Sequence, residues 1–246
     1  MFDAPTPRKI LMPSIMKGSS DLIEYAKKIS PLKLFSNSLI KHGQLASIDR
    51  YWELIQSDKK ALHMSIENTL DVVQYVQKKS GCFVHRSAYP DPYPTHNGVK
   101  AGKLDILKYL NSIKCLYVDI SACYMAAKQK DHEMLAFLCK LFFGNDNYDN
   151  IMLFRHAVDS GSVECTKLLL DHGYKSRVAN PSIFMDVDEY DSCYTNYQAC
   201  EHAIKDDNAE LLDLLFSHGF PMTDFCYYAV TDGKYPKCTK VIKKYF

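Results

Sequence analysis

Three groups of residues have the types, and nearly the spacing, that chemistry requires. Ser14 and Lys17 form S-x-x-K, in which a lysine amine can activate a serine hydroxyl. Asp186, Asp188 and Asp191 gather three carboxylates in one short run, as a calcium loop does. Cys193, Cys200 and His202 offer three soft ligands of the kind zinc takes. Each group fails on its neighbours. The S-x-x-K lacks its companion motifs and reads as one face of a first helix. The acidic run has Asp191 where a calcium loop needs glycine, and Tyr197 where a bidentate glutamate should close it. The cysteines and histidine contain no paired C-x-x-C or H-x-x-x-H. Neither G-x-x-x-x-G-K-[ST] nor G-x-G-x-x-G occurs, so nucleotide binding has no support. The histidines read structurally: His156 and His202 each precede an alanine in a first helix, and His42, His172 and His218 fall in H-G turns. The expectation is a chain with no catalytic residues, no metal and no cofactor.

Composition narrows the classes further. With 30 basic and 29 acidic residues the net charge is +1, without the basic excess that coating nucleic acid demands, so no nucleic-acid partner is expected. The most apolar stretch, Leu135 to Phe143, is interrupted by Lys140 and falls far short of the ~20 residues that span a bilayer. No membrane association is expected. The N-terminal MFDAPTPRKI has an acid and two prolines where a signal peptide needs a basic end and an apolar run. The nine cysteines are odd in number, unpaired in motif and set mostly among apolar residues, which fits a reducing compartment. These features together predict an intracellular, cytoplasmic protein.

The elements that must carry the side chains repeat. VKAGKLDILKYL (99–110), VDSGSVECTKLLLDHG (158–173), IKDDNAELLDLLFSHG (204–219) and VTDGKYPKCTKVI (230–242) each read as helix, tight turn, helix. Taking the turn residue as origin gives Gly18, Gly43, Asn68, Gly102, Lys130, Gly161, Asp207 and Gly233, mostly residues that tolerate a left-handed backbone. Three positions on stands an acid in six units: Asp21, Asp71, Asp105, Glu133, Glu164 and Glu210. A carboxylate there suits the exposed amides and dipole at a helix start. Five and eight positions on, the chain is almost always apolar, as in Leu107/Leu110, Leu135/Leu138 and Leu212/Leu215; Thr166 is the exception. That spacing puts both side chains on one helix face. Longer intervals mark insertions at 81–96 and at about 174–197, and GNDNYDN (144–150) reads as a solvated turn.

With these residues the chain resembles the ankyrin repeat. AVDSGSVECTKLLLDHG (157–173) and AIKDDNAELLDLLFSHG (203–219) follow A-x-x-x-G-x-x-E-x-x-x-L-L-L-x-x-G closely. The alanine pair survives as Ala126-Ala127, and Tyr93-Pro94-Thr95-His96 keeps the Pro and His of the T-P-L-H signature. Several units are shorter than an ordinary ankyrin repeat. In that shortening, and in its lysine, tyrosine, isoleucine and asparagine, the chain is similar to the ankyrin-repeat proteins of large DNA viruses that infect amoebae. The resemblance implies an all-α solenoid of about eight helix–turn–helix repeats, mostly without long hairpin fingers. It would form one domain over 1–246, with divergent repeats in 10–95 and clearer ones in 96–246. It also implies a non-catalytic adaptor that binds a protein partner along a concave face. By register, that face is lined just before each turn by Lys17, Lys41, His42, Lys100, Lys128, Asp159 and Lys205, with Tyr89 and Tyr93 as loop anchors. Its basic first part fits an acidic or phosphorylated protein partner. A structural or virion-associated assembly protein is the alternative, placed in the virion instead of the host cytoplasm.

Overall fold

The computed structural model describes residues 15, 20–29, 32–56, 64–80, 94–144, 148, 150–174 and 196–245, and these residues contain helices and no strand. Lys17, Tyr89 and Tyr93, the S-x-x-K pair and the acidic run lie outside them. The chain divides after Tyr117 into two compact units. The first contains α1 (Ser20–Ile29), α2 (Leu32–His42), α3 (Leu45–Arg50), α4 (Trp52–Ile55), α5 (Leu70–Ser80), α6 (Pro94–Lys100) and α7 (Leu104–Ser112). The second contains α8 (Ile120–Lys128), α9 (His132–Phe143), α10 (Ile151–Ser160), α11 (Val163–Asp171), α12 (Asn196–Lys205), α13 (Ala209–Ser217), α14 (Asp224–Asp232) and α15 (Pro236–Tyr245). Pro94, Thr95 and His96, read from sequence as the end of an insertion, form the first turn of α6.

Five of the first helices stop where the turn residue swings into the left-handed region, whereas the described origins Gly43 and Asn68 do not. Gly102, Lys130, Gly161, Asp207 and Gly233 have φ of 64°, 61°, 74°, 49° and 67°. All five are origins of the repeat frame. Behind the turn the next amide reaches back to close the helix: Lys103 donates to Gly98 O, Asp131 to Ala126 O and Asn208 to Ala203 O. Such bonds satisfy carbonyls that a helix end otherwise leaves unpaired. The residue after the turn then starts the second helix, with Asp131, Ser162 and Asn208 side chains accepting from Met134, Cys165 and Leu211 amides. One short segment thus ends one helix and begins another. The second helices end the same way, at Lys114, Gly173 and Gly219. There Cys115, Tyr174 and Phe220 donate back to Leu110, Leu169 and Leu215. That bond tucks the following side chain inward, and Tyr174 stacks on Phe154 at 3.9 Å.

Most of the apolar positions expected five and eight places after the origin are core, although Val241, eight places after Gly233, is only half-buried. Ile48 and Tyr51, Val73 and Val76, Leu107 and Leu110, Leu135 and Leu138, Leu169, Leu212 and Leu215 are all buried. Thr166 is buried as well, its hydroxyl donating to Ser162 O. Four places before the origin the chain has Gly98, Ala126, Ala157, Ala203 or Ala229, and the four alanines are buried too. At the first of these positions the two helices of the hairpin approach closely: a Cβ on Gly98 would lie 2.5 Å from Leu107 Cδ2. Nine- and ten-residue helices such as α13 and α10 are too short to persist alone in water, so packing holds them. Each buried leucine contributes roughly 1.5–3 kcal/mol.

Within the second unit, α8 packs on α9, α10 on α11, α12 on α13 and α14 on α15. First helices also pack in order, α8 on α10, α10 on α12, α12 on α14. Second helices do likewise, α9 on α11, α11 on α13, α13 on α15. Polar groups stitch one hairpin to the next. Asn208 Nδ2 donates to Gly161 O at 3.0 Å, and the Asp207 carboxylate accepts from the amides of Lys237 and Cys238 at the start of α15. In the first unit the second helices α3, α5 and α7 pack in order. Tyrosines run between successive second helices: Tyr51 donates to Glu24 on α1, Tyr75 to Asp49 on α3 and Tyr109 to Gln77 on α5. Burial and those carboxylates push Tyr51 and Tyr75 up to about 12. Asn68 repeats the stitch of Asn208, donating to Ile40 O and Gly43 O.

The cysteines follow the core. Cys123, Cys139, Cys165, Cys200, Cys226 and Cys238 are free and buried, as expected of small hydrophobes. Cys115 departs from the expectation of reduced thiols: it is disulfide-bonded.

Candidate functional site

A first helix packed on both sides and against its own hairpin partner has one face left over. In α8, α10, α12 and α14 the alanine and its apolar neighbours point inward. The positions two, five and six before the turn share the remaining side. These are Lys128, Met125 and Tyr124; Asp159, His156 and Arg155; Lys205, His202 and Glu201; and Thr231, Tyr228 and Tyr227. None of the twelve is buried.

Adjacent helices bring these positions together. His156 on α10 meets the Tyr124 ring on α8 edge-on at 5.1 Å, and Tyr124 donates to Asn150 Oδ1 at 3.3 Å. A groove of about 470 Å³ opens between α8 and α10, lined by Lys128, Met152, Arg155, His156, Asp159 and Ser160. One helix further, Asp159 lies 3.4 Å from Arg155 Nε and 3.5 Å from His202 Nε2. Lys205 lies 3.4 Å from Glu201 and sits over the Phe225 ring of α14 at 5.3 Å. At α14 the face becomes aromatic: Tyr227 is 61% exposed and Tyr228 64%. Burial holds His156 below the usual histidine range, with Lys128 and Arg155 adding to the effect and Asp159 opposing it. The groove therefore disfavours protonation of this imidazole, and it carries the Lys128 and Arg155 cations together with the Asp159 carboxylate.

Of the expected site residues, Lys128, Asp159 and Lys205 stand on this one face. Lys41, His42 and Lys100 belong to the first unit. There Lys41 is tied to Glu67 at 2.5 Å, half-buried, while His42 and Lys100 are exposed at the ends of α2 and α6. Sequence reasoning missed Tyr124, Arg155, His156, His202, Tyr227 and Tyr228. It took only the residues next to the turn, whereas a face of a helix recurs one turn earlier. Pairs of polar or aromatic residues just before the alanine, Arg155-His156, Glu201-His202 and Tyr227-Tyr228, were the available signal.

The zinc-like group does not converge in its described members. Cys200 is buried beside Cys226 in the core, whereas His202, two residues along α12, faces Asp159. Among the described residues no group of three or more His, Cys, Asp and Glu is placed to hold a metal ion. No described helix is long and apolar enough to cross a membrane. No model of a known protein family matches the chain, and a search of curated proteins finds no significant match.

Proposed function

We propose that this chain is a non-catalytic protein-interaction module, a degenerate ankyrin-like solenoid whose first-helix face receives a protein partner. One observation carries the reading. The fold-bearing positions of α8 to α15 keep the same small or apolar character from hairpin to hairpin. The outward positions change from Lys128 and Tyr124 to Asp159 and Arg155, then Lys205 and Glu201, then Thr231 and Tyr227. A repeat frame with a variable face is what a recognition surface requires, because each unit contributes a different contact. The ordered packing of first helices on first helices and second on second supports the solenoid. The left-handed turns at the frame origins support it too.

Affinity capture of the tagged chain from its native cell, read by mass spectrometry at low and high salt, tests the reading. The expected result is a discrete partner, depleted as salt screens the charged face. Recovery of the chain alone, or of copies of itself regardless of salt, would instead make it an assembly component.

A further inference from the structure

Glycine follows an aspartate or an asparagine at two places in the sequence, Asn97-Gly98 and Asp232-Gly233. With no Cβ to crowd the approach, a glycine amide nitrogen can reach the side-chain carbonyl carbon one residue back. The fold treats the two places oppositely. Asn97 and Gly98 lie inside α6, where Gly98 is buried against Leu107 and the Asn97 carbonyl accepts from Ala101. Asp232 is the last residue of α14, and it, Gly233 and Lys234 are all exposed.

The Asp232-Gly233 turn also lacks the bond that holds its counterparts. At the other four left-handed origins the turn amide is engaged. Gly102 donates to Val99 O, Lys130 to Ala127 O, Gly161 to Val158 O and Asp207 to Ile204 O. Among the described contacts the Gly233 amide has no such acceptor, and neither does the Lys234 amide behind it. The reason lies in α15. Gly98 O, Ala126 O and Ala203 O each take the amide after the turn, but the equivalent Ala229 O accepts the Thr239 hydroxyl at 3.1 Å. No described hydrogen bond or ion pair engages the Asp232 carboxylate either. Nucleophile and electrophile are thus adjacent, in water and unheld.

From these features we infer that Asp232-Gly233 is a site of self-modification, where the chain converts its own aspartate to isoaspartate. The Gly233 nitrogen gives its proton to water and bonds to Cγ of the protonated Asp232 carboxyl. The Cγ–OH bond breaks, and the hydroxyl departs as water with the proton that the nitrogen gave up. A cyclic imide remains. Water then opens it at one of two bonds. Cleavage between nitrogen and Cγ returns aspartate. Cleavage between nitrogen and the main-chain carbonyl carbon leaves the backbone running through Cγ, with the α-carboxylate free. Nothing is oxidised or reduced, and water is the only co-reactant. The product carries an extra methylene in the turn between α14 and α15, just after the helix that bears Tyr227 and Tyr228. This chemistry needs no partner and stands apart from the interaction-module reading.

The test holds the full-length chain for weeks at neutral pH and body temperature. It is then digested and read by chromatography with electron-transfer mass spectrometry. The peptide containing Asp232 should divide into two peaks of equal mass, the new one carrying isoaspartate, beside a minor species lighter by one water. Asn97 should keep its amide over the same time. In guanidinium the order should reverse, because the asparagine amide is neutral whereas the aspartate must first be protonated. Asp232→Glu, which needs a larger ring, should abolish the new peak, and Asp232→Asn should accelerate modification severalfold. Both substitutions leave Gly233 and its left-handed turn in place, so loss of the peak in the first is not a folding defect. A native chain that modifies Asn97 before Asp232, or that modifies neither, would overturn the inference. So would a new peak that persists in Asp232→Glu.

Discussion

His156 is the residue at which burial and charge act together. An unfolded histidine takes up its proton near 6.5, whereas in the folded chain burial, Lys128 and Arg155 hold protonation to lower pH despite Asp159. His202, on the neighbouring helix, faces Asp159 and not His156 in the described contacts. Between the two protonation points the unfolded chain binds the extra proton. Stability therefore falls as pH drops through that window, and above it this histidine contributes no pH dependence. Lys128→Ala removes the second of the lowering causes, so titration of the His156 ring by NMR should show its pKa rising toward the usual value. An unchanged titration would mean that burial alone sets it. The buried thiols make a second residue-scale case. Burial is the first cause raising Cys165, Cys200 and Cys238, the last to about 12. Cys139 is raised first by its hydrogen bond with Cys123 and then by burial. Since the thiolate is the reactive form, brief iodoacetamide treatment of the native chain should leave Cys123, Cys139, Cys165, Cys200, Cys226 and Cys238 unalkylated. Denaturant should expose all six, and rapid native labelling of any would show that its hairpin opens.

At the scale of elements, two turns of the same shape should answer the same substitution differently. Lys130 and Asp207 are both non-glycine residues at positive φ, where an L-residue costs roughly 1–2 kcal/mol. The Lys130 side chain is exposed, so Lys130→Gly should stabilise by up to about 1 kcal/mol once the looser unfolded chain is allowed for. Asp207→Gly also relieves its backbone, but it strips the carboxylate from the amides of Lys237 and Cys238. A lost cap costs about 1 kcal/mol, so no net gain is expected. Denaturant midpoints of the two variants decide it; equal gains would show that the Asp207 bonds contribute nothing. These turns were legible in the sequence because their chemistry is local. A residue that can turn left, a cap one place on and an acid after that all lie within a few positions. The apolar five-and-eight pairs were legible for the same reason. The groove was not. Arg155 differs in type from Tyr124, Glu201 and Tyr227 at matching positions, so the one local mark was a polar or aromatic pair just before Ala157, Ala203 and Ala229. Their shared exposure depends on which side of α10 the neighbouring helices leave open. The Lys41–Glu67 pair was hidden likewise, because it joins residues 26 apart in sequence.

For the molecule, the order of contacts sets how stability spreads. In the second unit α15 packs chiefly on α13 and α14, and α14 on α12 and α15. In the proposed solenoid a hairpin is stabilised by its neighbour and not by a core common to all. Asp207 is the link whose removal separates the two possibilities, since its carboxylate joins the turn before α13 to the start of α15. In Asp207→Ala the cap is lost while the backbone strain stays, so the α14–α15 hairpin should open more often. Hydrogen exchange read by mass spectrometry should then show faster exchange across Asp224–Tyr245. The amides of α8 to α11, two hairpins away, should keep their protection, because an added opening at one end need not pass through them. A bundle with one shared core behaves differently: any loss of stability raises exchange in its most protected amides everywhere. Uniform acceleration in Asp207→Ala would therefore count against the proposed solenoid, and with it against a face assembled hairpin by hairpin. Acceleration confined to α14 and α15 would mean that Tyr227 and Tyr228 sit on the least stable part of that face. Occupation of the face by a protein partner that reaches those tyrosines should then restore their protection, tying the molecule's stability to its binding.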